Sequence, residues 1–258
     1  MIRTAALIFC AVNCVVAPVC QAGDGPAIAA ASDLKFVLPV IAAAFKAETG
    51  EAVTLTFGSS GVLATQIANG APFEVLLSAD EALIADLNQR GMLQDAGAVY
   101  ALGQLAVYAP EGSPVSCDAE LAGLRTALAA AGVAKIAIAN PEHAPYGRAA
   151  QVALEKAGLW DNAKGHLIFG ESATQALQFV TDGGASVALV PAPLVEAPEF
   201  PGKGCHKRVS DKLAAPLRQR MGVLKTASKA AQNFAAFITS EKARAILTKY
   251  GFSQPASP

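Results

Sequence analysis

Four short stretches of this chain bring a small polar residue or a glycine to the start of a helical pattern: Ala31-Ser32-Asp33, Ser59-Ser60-Gly61, Pro145-Tyr146-Gly147 and Glu171-Ser172-Ala173. A helix start leaves backbone N–H groups without intrahelical partners, and the macrodipole places roughly half a positive charge there. Serine hydroxyls and such N–H groups all donate hydrogen bonds. Several converging on one cleft would therefore hold an anion with no lysine or arginine in contact. Taken singly, each stretch reads as an ordinary cap: serine is a preferred N-cap, and Ser172 with Gln175 three residues on fits a capping box. Their joint occurrence is what points to a site.

Other chemistry finds less support. Gly58-Ser59-Ser60-Gly61 is not the Gly-X-Ser-X-Gly nucleophile elbow, because Val62 stands where its last glycine is needed. His166 and His206 have no ligand-like spacing to each other or to a cysteine, so no metal site is expected. His143, in the turn Asn140-Pro141-Glu142-His143, either touches the cleft or fixes that turn by hydrogen bonding. Trp160, Tyr250 and Phe252 read as packing residues.

The elements that must position these residues alternate between short apolar strands and longer helical patterns, the signature of α/β architecture with parallel sheets. Strands are expected at 27–31, 53–57, 74–77, 105–108, 135–139 and 186–190. In 33–49 the apolar residues Leu34, Val37, Leu38, Ile41 and Phe45 recur at helical spacing, and Gly50 closes the helix. Further helices are expected after Gly61, at 81–89, 118–131, 147–157 and 172–181, and around Phe234 to Leu247. The proline-rich 191–201 stretch breaks regular structure. The reading is a two-lobed chain: 23–106 with 214–258 as the first lobe, 107–213 as the second, and a ligand cleft between them.

Arg3, an apolar run from Ala5 to Val19 and the small-residue exit Cys20-Gln21-Ala22 have the layout of a secretory signal, 1–22, cleaved after Ala22. The run is shorter than the roughly 20 residues that span a bilayer, and Pro18 interrupts it. Lys and Arg number 20 against 21 Asp and Glu, so the surface is near neutral, which disfavours nucleic acid or anionic membrane as partner. Of five cysteines, only Cys117 and Cys205 lie outside the signal. In an oxidising compartment they form one disulfide or remain two free thiols, and sequence does not choose.

Several longer motifs resemble those of the molybdate-binding proteins of ABC importers. They are Ala29-Ala30-Ala31-Ser32, Phe57-Gly58-Ser59-Ser60-Gly61, Gln66-Ile67-Ala68-Asn69-Gly70-Ala71-Pro72, Leu77-Ser78-Ala79-Asp80-Glu81, Asn140-Pro141-Glu142-His143, the stretch from Ala153 to Asp161, Gln175-Ala176-Leu177 and Lys249-Tyr250-Gly251-Phe252. They run in that family's order over nearly the whole exported part. The resemblance implies the type II periplasmic-binding-protein fold, each lobe a mostly parallel sheet flanked by helices. It also implies an oxyanion held by the hydroxyls and N–H groups of Ser32 and Ser60 and by the N–H groups of Tyr146 and Ala173. Molybdenum would then be reached only through its oxygens, with no direct metal ligand and no cofactor. Molybdate or tungstate as ligand, a membrane permease as partner, a periplasmic location and a monomeric state complete what it implies.

Two departures from that family's pattern stand out. Where many members carry a ligand-binding tyrosine, Leu189-Val190 runs into Pro191, which has neither hydroxyl nor N–H. Where a small residue is usual, this chain has Tyr146. Either its phenol enters the space that Pro191 leaves and restores the donor, or it faces outward with only its N–H at the ligand. The competing readings are a relative drifted to sulfate or a small organic acid, and an exported esterase with Ser60 as nucleophile. An effector-sensing domain of a transcription regulator is disfavoured by the signal and by the lack of a basic helix-turn-helix segment.

Overall fold

The computed structural model describes residues 25–255, so the expected signal segment and its cleavage point lie outside the described residues. Ten strands are described: β1 (Ala27–Ala31), β2 (Thr54–Gly58), β3 (Val75–Ser78), β4 (Ala98–Gly103), β5 (Leu105–Pro110), β6 (Ile136–Ala139), β7 (Leu167–Gly170), β8 (Val187–Pro191), β9 (Gly204–Arg208) and β10 (Leu217–Val223). They form two five-stranded sheets, ordered β2-β1-β3-β10-β4 and β7-β6-β8-β5-β9.

Both sheets are mixed, in the same way. β1 pairs in parallel with β2 and β3, whereas β10 is antiparallel to β3 and to β4. In the second sheet β6 pairs in parallel with β7 and β8, and β5 is antiparallel to β8 and to β9. One strand per sheet thus runs against the other four. Each reversed strand is the first after a change of sheet: only Gln104 separates β4 from β5, and β10 follows β9. Parallel neighbours need a crossover of a dozen or more residues, usually a helix. A strand arriving from across the cleft has no such crossover. It starts at the cleft edge and must run away from it, while the others run towards it.

The helices are α1 (Val37–Thr49), α2 (Ser60–Ala68), α3 (Glu81–Gln89), α4 (Ala122–Ala129), α5 (Pro145–Lys156), α6 (Trp160–Ala163), α7 (Ala173–Thr181), α8 (Ala192–Val195), α9 (Lys229–Ile238) and α10 (Glu241–Lys249). In α1 the buried residues are Val37, Leu38, Ile41 and Phe45, and Gly50 ends it with φ of 79°. The expected helix from residue 33 differs at its start: Ser32–Leu34 is a 3-10 turn, separate from α1. Short 3-10 turns are common at such junctions, and this one holds Ser32 and Asp33 buried at the end of β1. α8 sits inside the proline-rich stretch, where no regular element was expected.

Each lobe has its own apolar core. Phe45 packs edge-on against Phe234 beneath the first sheet, at 5.2 Å between ring centres, and β5, β6 and β8 carry fully buried Ala106, Ile138 and Leu189 in the second. Cys117 and Cys205 form a disulfide with a Cα–Cα distance of 5.8 Å, tying the segment before α4 to β9. No helix among the described residues is long and apolar enough to cross a membrane.

Candidate functional site

The strand ends that face the cleft carry the candidate residues. Ser32 directly follows β1, and Ser59 is the N-cap and Ser60 the first residue of α2, straight after β2. Tyr146 is the second residue of α5, behind Pro145 at a position where a helix tolerates proline. Ala173 opens α7, whose N-cap Ser172 accepts from the Gln175 N–H at 3.3 Å, half of the expected capping box.

Ser32 and Ser60 from the first lobe and Tyr146 and Ala173 from the second line one cavity, together with Asp33, Ser59, Ala79, Ala144 and Pro145. The cavity is small, and no lysine or arginine lines it. It has no room for a peptide or a sugar. Pro191 is not among the lining residues: it ends β8, buried, opposite Leu105.

The hydrogen bonds fix which way the donors face. Ser60 Oγ accepts from the Ala79 N–H at 3.0 Å, and Ser32 Oγ accepts from the Ala173 N–H at 3.2 Å, across the cleft. With each oxygen already accepting, the O–H hydrogen is the group left to donate, and an accepted bond strengthens the donated one. The Tyr146 N–H lies in the first turn of α5, where no intrahelical acceptor exists.

The Tyr146 side chain is turned inward. It is 3% exposed, so it does not face outward. Its hydroxyl accepts from Gln219 Nε2 at 3.2 Å and stands near the Asp33 carboxyl. Gly103 leaves the space for this: a side chain there would collide with the Tyr146 hydroxyl and the Gln219 amide. Gln219 Nε2 also donates to Asp33 Oδ2, and its Oε1 accepts from Tyr100 Oη at 2.7 Å. Burial pushes the Asp33 carboxyl up to about 6, against the lowering effect of its bonds from Gln219, Tyr146 and the backbone. Burial, and then the Asp33 charge, lift both Tyr100 and Tyr146 well above the usual phenol range.

Asp33 and Gln219 went unread in the sequence. Asp33 looked like part of a helix start. Gln219 did leave a trace, a polar residue on the inward face of a strand between the outer Arg218 and Arg220.

A second constellation brings Ser59, His143 and Glu171 together. His143 Nδ1 lies 3.1 Å from Ser59 Oγ, and its Nε2 lies 3.4 Å from Glu171 Oε2. A serine, an imidazole and a carboxylate in series suggest nucleophilic catalysis. The proton placement argues otherwise, because the Ser59 hydroxyl donates to the His143 carbonyl oxygen at 2.6 Å and leaves Nδ1 no proton to take. The same carbonyl accepts the Gly61 N–H at 3.0 Å, so His143 clasps the two lobes together through its turn. A side chain at position 61 would collide with that carbonyl. Two further bonds cross the cleft: Thr174 Oγ1 donates to the Ser32 carbonyl at 3.1 Å, and Arg148 Nη2 meets Asp80 Oδ2 at 2.6 Å.

Two α/β lobes closed on a small cavity of hydroxyl and helix-start donors define a class, the solute-binding proteins that clasp their cargo between domains. Residues 27–253 match the family described as bacterial extracellular solute-binding protein. The molybdate-binding protein ModA of Rhodobacter capsulatus is 35% identical over 82% of this chain and 81% of its own length. That of Azotobacter vinelandii is 32% identical over 87% and 88%. The solved structure of the Azotobacter vinelandii periplasmic molybdate-binding protein superposes with a TM-score of 0.81 at 29% identity, over 89% of this chain and 99% of that one. The chain belongs to the bacterial extracellular solute-binding proteins, and within them to the ModA family. The two-lobed fold implied by the sequence motifs is the fold observed.

Proposed function

We propose that this chain binds molybdate between its lobes in the periplasm and delivers it to the membrane permease of an ABC importer. One observation carries the reading: Ser32, Ser60, Tyr146 and Ala173, from four separate helix starts on both lobes, line one small cavity without a cationic side chain. A fully deprotonated tetrahedral dianion offers only acceptors, and hydroxyl and N–H donors match them. Helix starts supply the positive potential that lysine or arginine would otherwise bring. The names of the relatives support molybdate as the ion. Tungstate, nearly equal in size and equal in charge, should bind too, while the smaller sulfate would leave donors out of reach. The chain acts as a carrier rather than an enzyme, since the hydroxyl hydrogen of Ser59 is given to a carbonyl and Ser60 Oγ accepts from a backbone amide. The exported form works as a monomer, its signal removed.

Calorimetry of the mature protein against molybdate, tungstate, sulfate and phosphate at matched ionic strength tests this. Saturable binding of molybdate and tungstate, much tighter than of sulfate, is the expected result, with a rise in melting temperature that follows ligand concentration. Sulfate binding as tight as molybdate, or no binding of either metal oxyanion, would overturn it.

A further inference from the structure

Asp33 is at odds with a cavity made of donors alone. The residue is 2% exposed and is one of those that line the same cavity as Ser32, Ser60, Tyr146 and Ala173. Oδ2 accepts from Gln219 Nε2, which also donates to the Tyr146 hydroxyl, and Oδ1 is buried with no hydrogen-bond partner. No arginine or lysine is bonded to it among the described residues. Arg148 is engaged by Asp80 and Arg208 by Glu196. The titratable groups that face it are Tyr100 from β4 and Tyr146 from α5, both neutral; β10 brings the amide of Gln219, and the adjoining starts of α2 and α7 bring Ser60 and Ala173.

An ionised carboxylate beside a dianion, in a site shielded from water, would repel it strongly. A proton between the two turns that repulsion into a charge-assisted hydrogen bond. We propose that Asp33 is a further ligand-binding residue, and that the complex with a tetrahedral dianion holds one proton shared between the Asp33 carboxyl and an oxygen of the ion. The balance is simple: carboxylate, dianion and one proton from solvent give a complex in which Asp33 and the ion together carry two negative charges rather than three. The inference rests on the oxyanion reading and adds to it a second donor role, taken by a residue type that would otherwise exclude the ligand. Burial already holds the free carboxyl near 6, so the approaching dianion has only to raise it past neutrality for the proton to stay.

The sign of the pH dependence follows from this. The bound state holds more protons than the free state between the free and the bound pKa, so affinity falls as pH rises through that window, by up to tenfold per pH unit. The test is calorimetry with molybdate, fully deprotonated at pH 7.5, in two buffers of different ionisation enthalpy, on the wild type and on Asp33→Asn. Asparagine keeps the shape and donates through its amide but does not titrate, and its fold is checked by melting. The wild type is expected to take up close to one proton per ion bound and Asp33→Asn none. Between pH 7 and 8.5 the affinity should decline in the wild type and stay level in the variant. Wild-type binding without proton uptake, or equal uptake in Asp33→Asn, would overturn the shared proton and leave molybdate binding intact. A wild type that binds no molybdate at either end of that range would overturn both.

Discussion

The two lobes have the same strand order and the same single reversed strand, yet they bring different chemistry to the cleft. The first contributes side chains: the hydroxyls of Ser32 and Ser60 and the carboxyl of Asp33. The second contributes backbone, the N–H groups that open α5 and α7, the latter given to Ser32 Oγ across the cleft. A side-chain donor is chosen by residue type, a backbone donor only by where a helix begins. The first lobe's share of the site is therefore exposed to substitution at single positions, whereas the second lobe's share survives almost any side chain that preserves the helix start.

The most damaging way to test this contrast is to strip the first lobe of its hydroxyls. Hydrogen bonds to a charged group are worth about 1.5 to 3 kcal/mol each, so Ser32→Ala and Ser60→Ala should each weaken molybdate binding by about ten- to 150-fold. The double variant should lose about a hundredfold or more, if the two act independently. Calorimetry on the folded variants measures it. A loss under threefold in either single variant would mean that hydroxyl does not reach the ion.

The lobes also differ in how they are held together, since only the second carries a disulfide among the described residues. Closing a loop of sequence separation 88 stabilises by about 4.6 kcal/mol in the chain-entropy account. Reduction, or Cys117→Ser with Cys205→Ser, should lower the melting temperature by about 10 °C in a chain of this size. Below the transition the affinity should be unchanged, because Cys117 and Cys205 lie outside the cavity lining. An affinity loss without a melting shift would contradict a purely structural bridge.

A smaller and more selective test addresses the backbone donors. Ala173 is the first residue of α7, and Ser172 before it is extended, with φ −145° and ψ 165°. Both positions suit proline at 173. Ala173→Pro would remove the N–H that Ser32 Oγ accepts while keeping the helix, whereas Ala173→Ser would keep that N–H. The proline variant should bind about tenfold or more weaker, and the serine variant close to the wild type. Equal losses in both would assign the effect to packing.

Much of this was legible because local signals agreed. The β1 strand, the helical spacing of Leu38, Ile41 and Phe45, and the left-handed Gly50 each point to one local structure. What stayed hidden depends on long-range contacts. β4 runs Ala-Val-Tyr-Ala-Leu-Gly, with neither alternation nor helical period, and becomes a strand because β10 pairs with it. Asp33 reads as a helix-start acid, and only the arrival of Gln219 from 186 positions away and of Tyr146 from the other lobe makes it a buried network. The direction of the Tyr146 phenol was open for the same reason: its partners are set by tertiary contact, not by neighbours in sequence.

The slightest expected effect concerns the contact between the lobes rather than the ligand. Arg148, on α5, reaches Asp80, which caps α3 by accepting the Ala82 N–H at 2.9 Å. The pair joins a second-lobe side chain to a first-lobe helix start beside the cavity. Its side chains are 41% and 28% exposed, so solvent screens them, and such pairs are worth about 0 to 1 kcal/mol. Because the bond exists only when the lobes meet, its loss should fall on release rather than on capture. Arg148→Ala is expected to raise the dissociation rate of molybdate by a few-fold with little change in association rate, as followed by stopped-flow fluorescence. Raising ionic strength should shrink the difference between variant and wild type. An effect confined to association would instead place Arg148 on the approach path of the ion, where it would give the second lobe an electrostatic role that its backbone donors do not need.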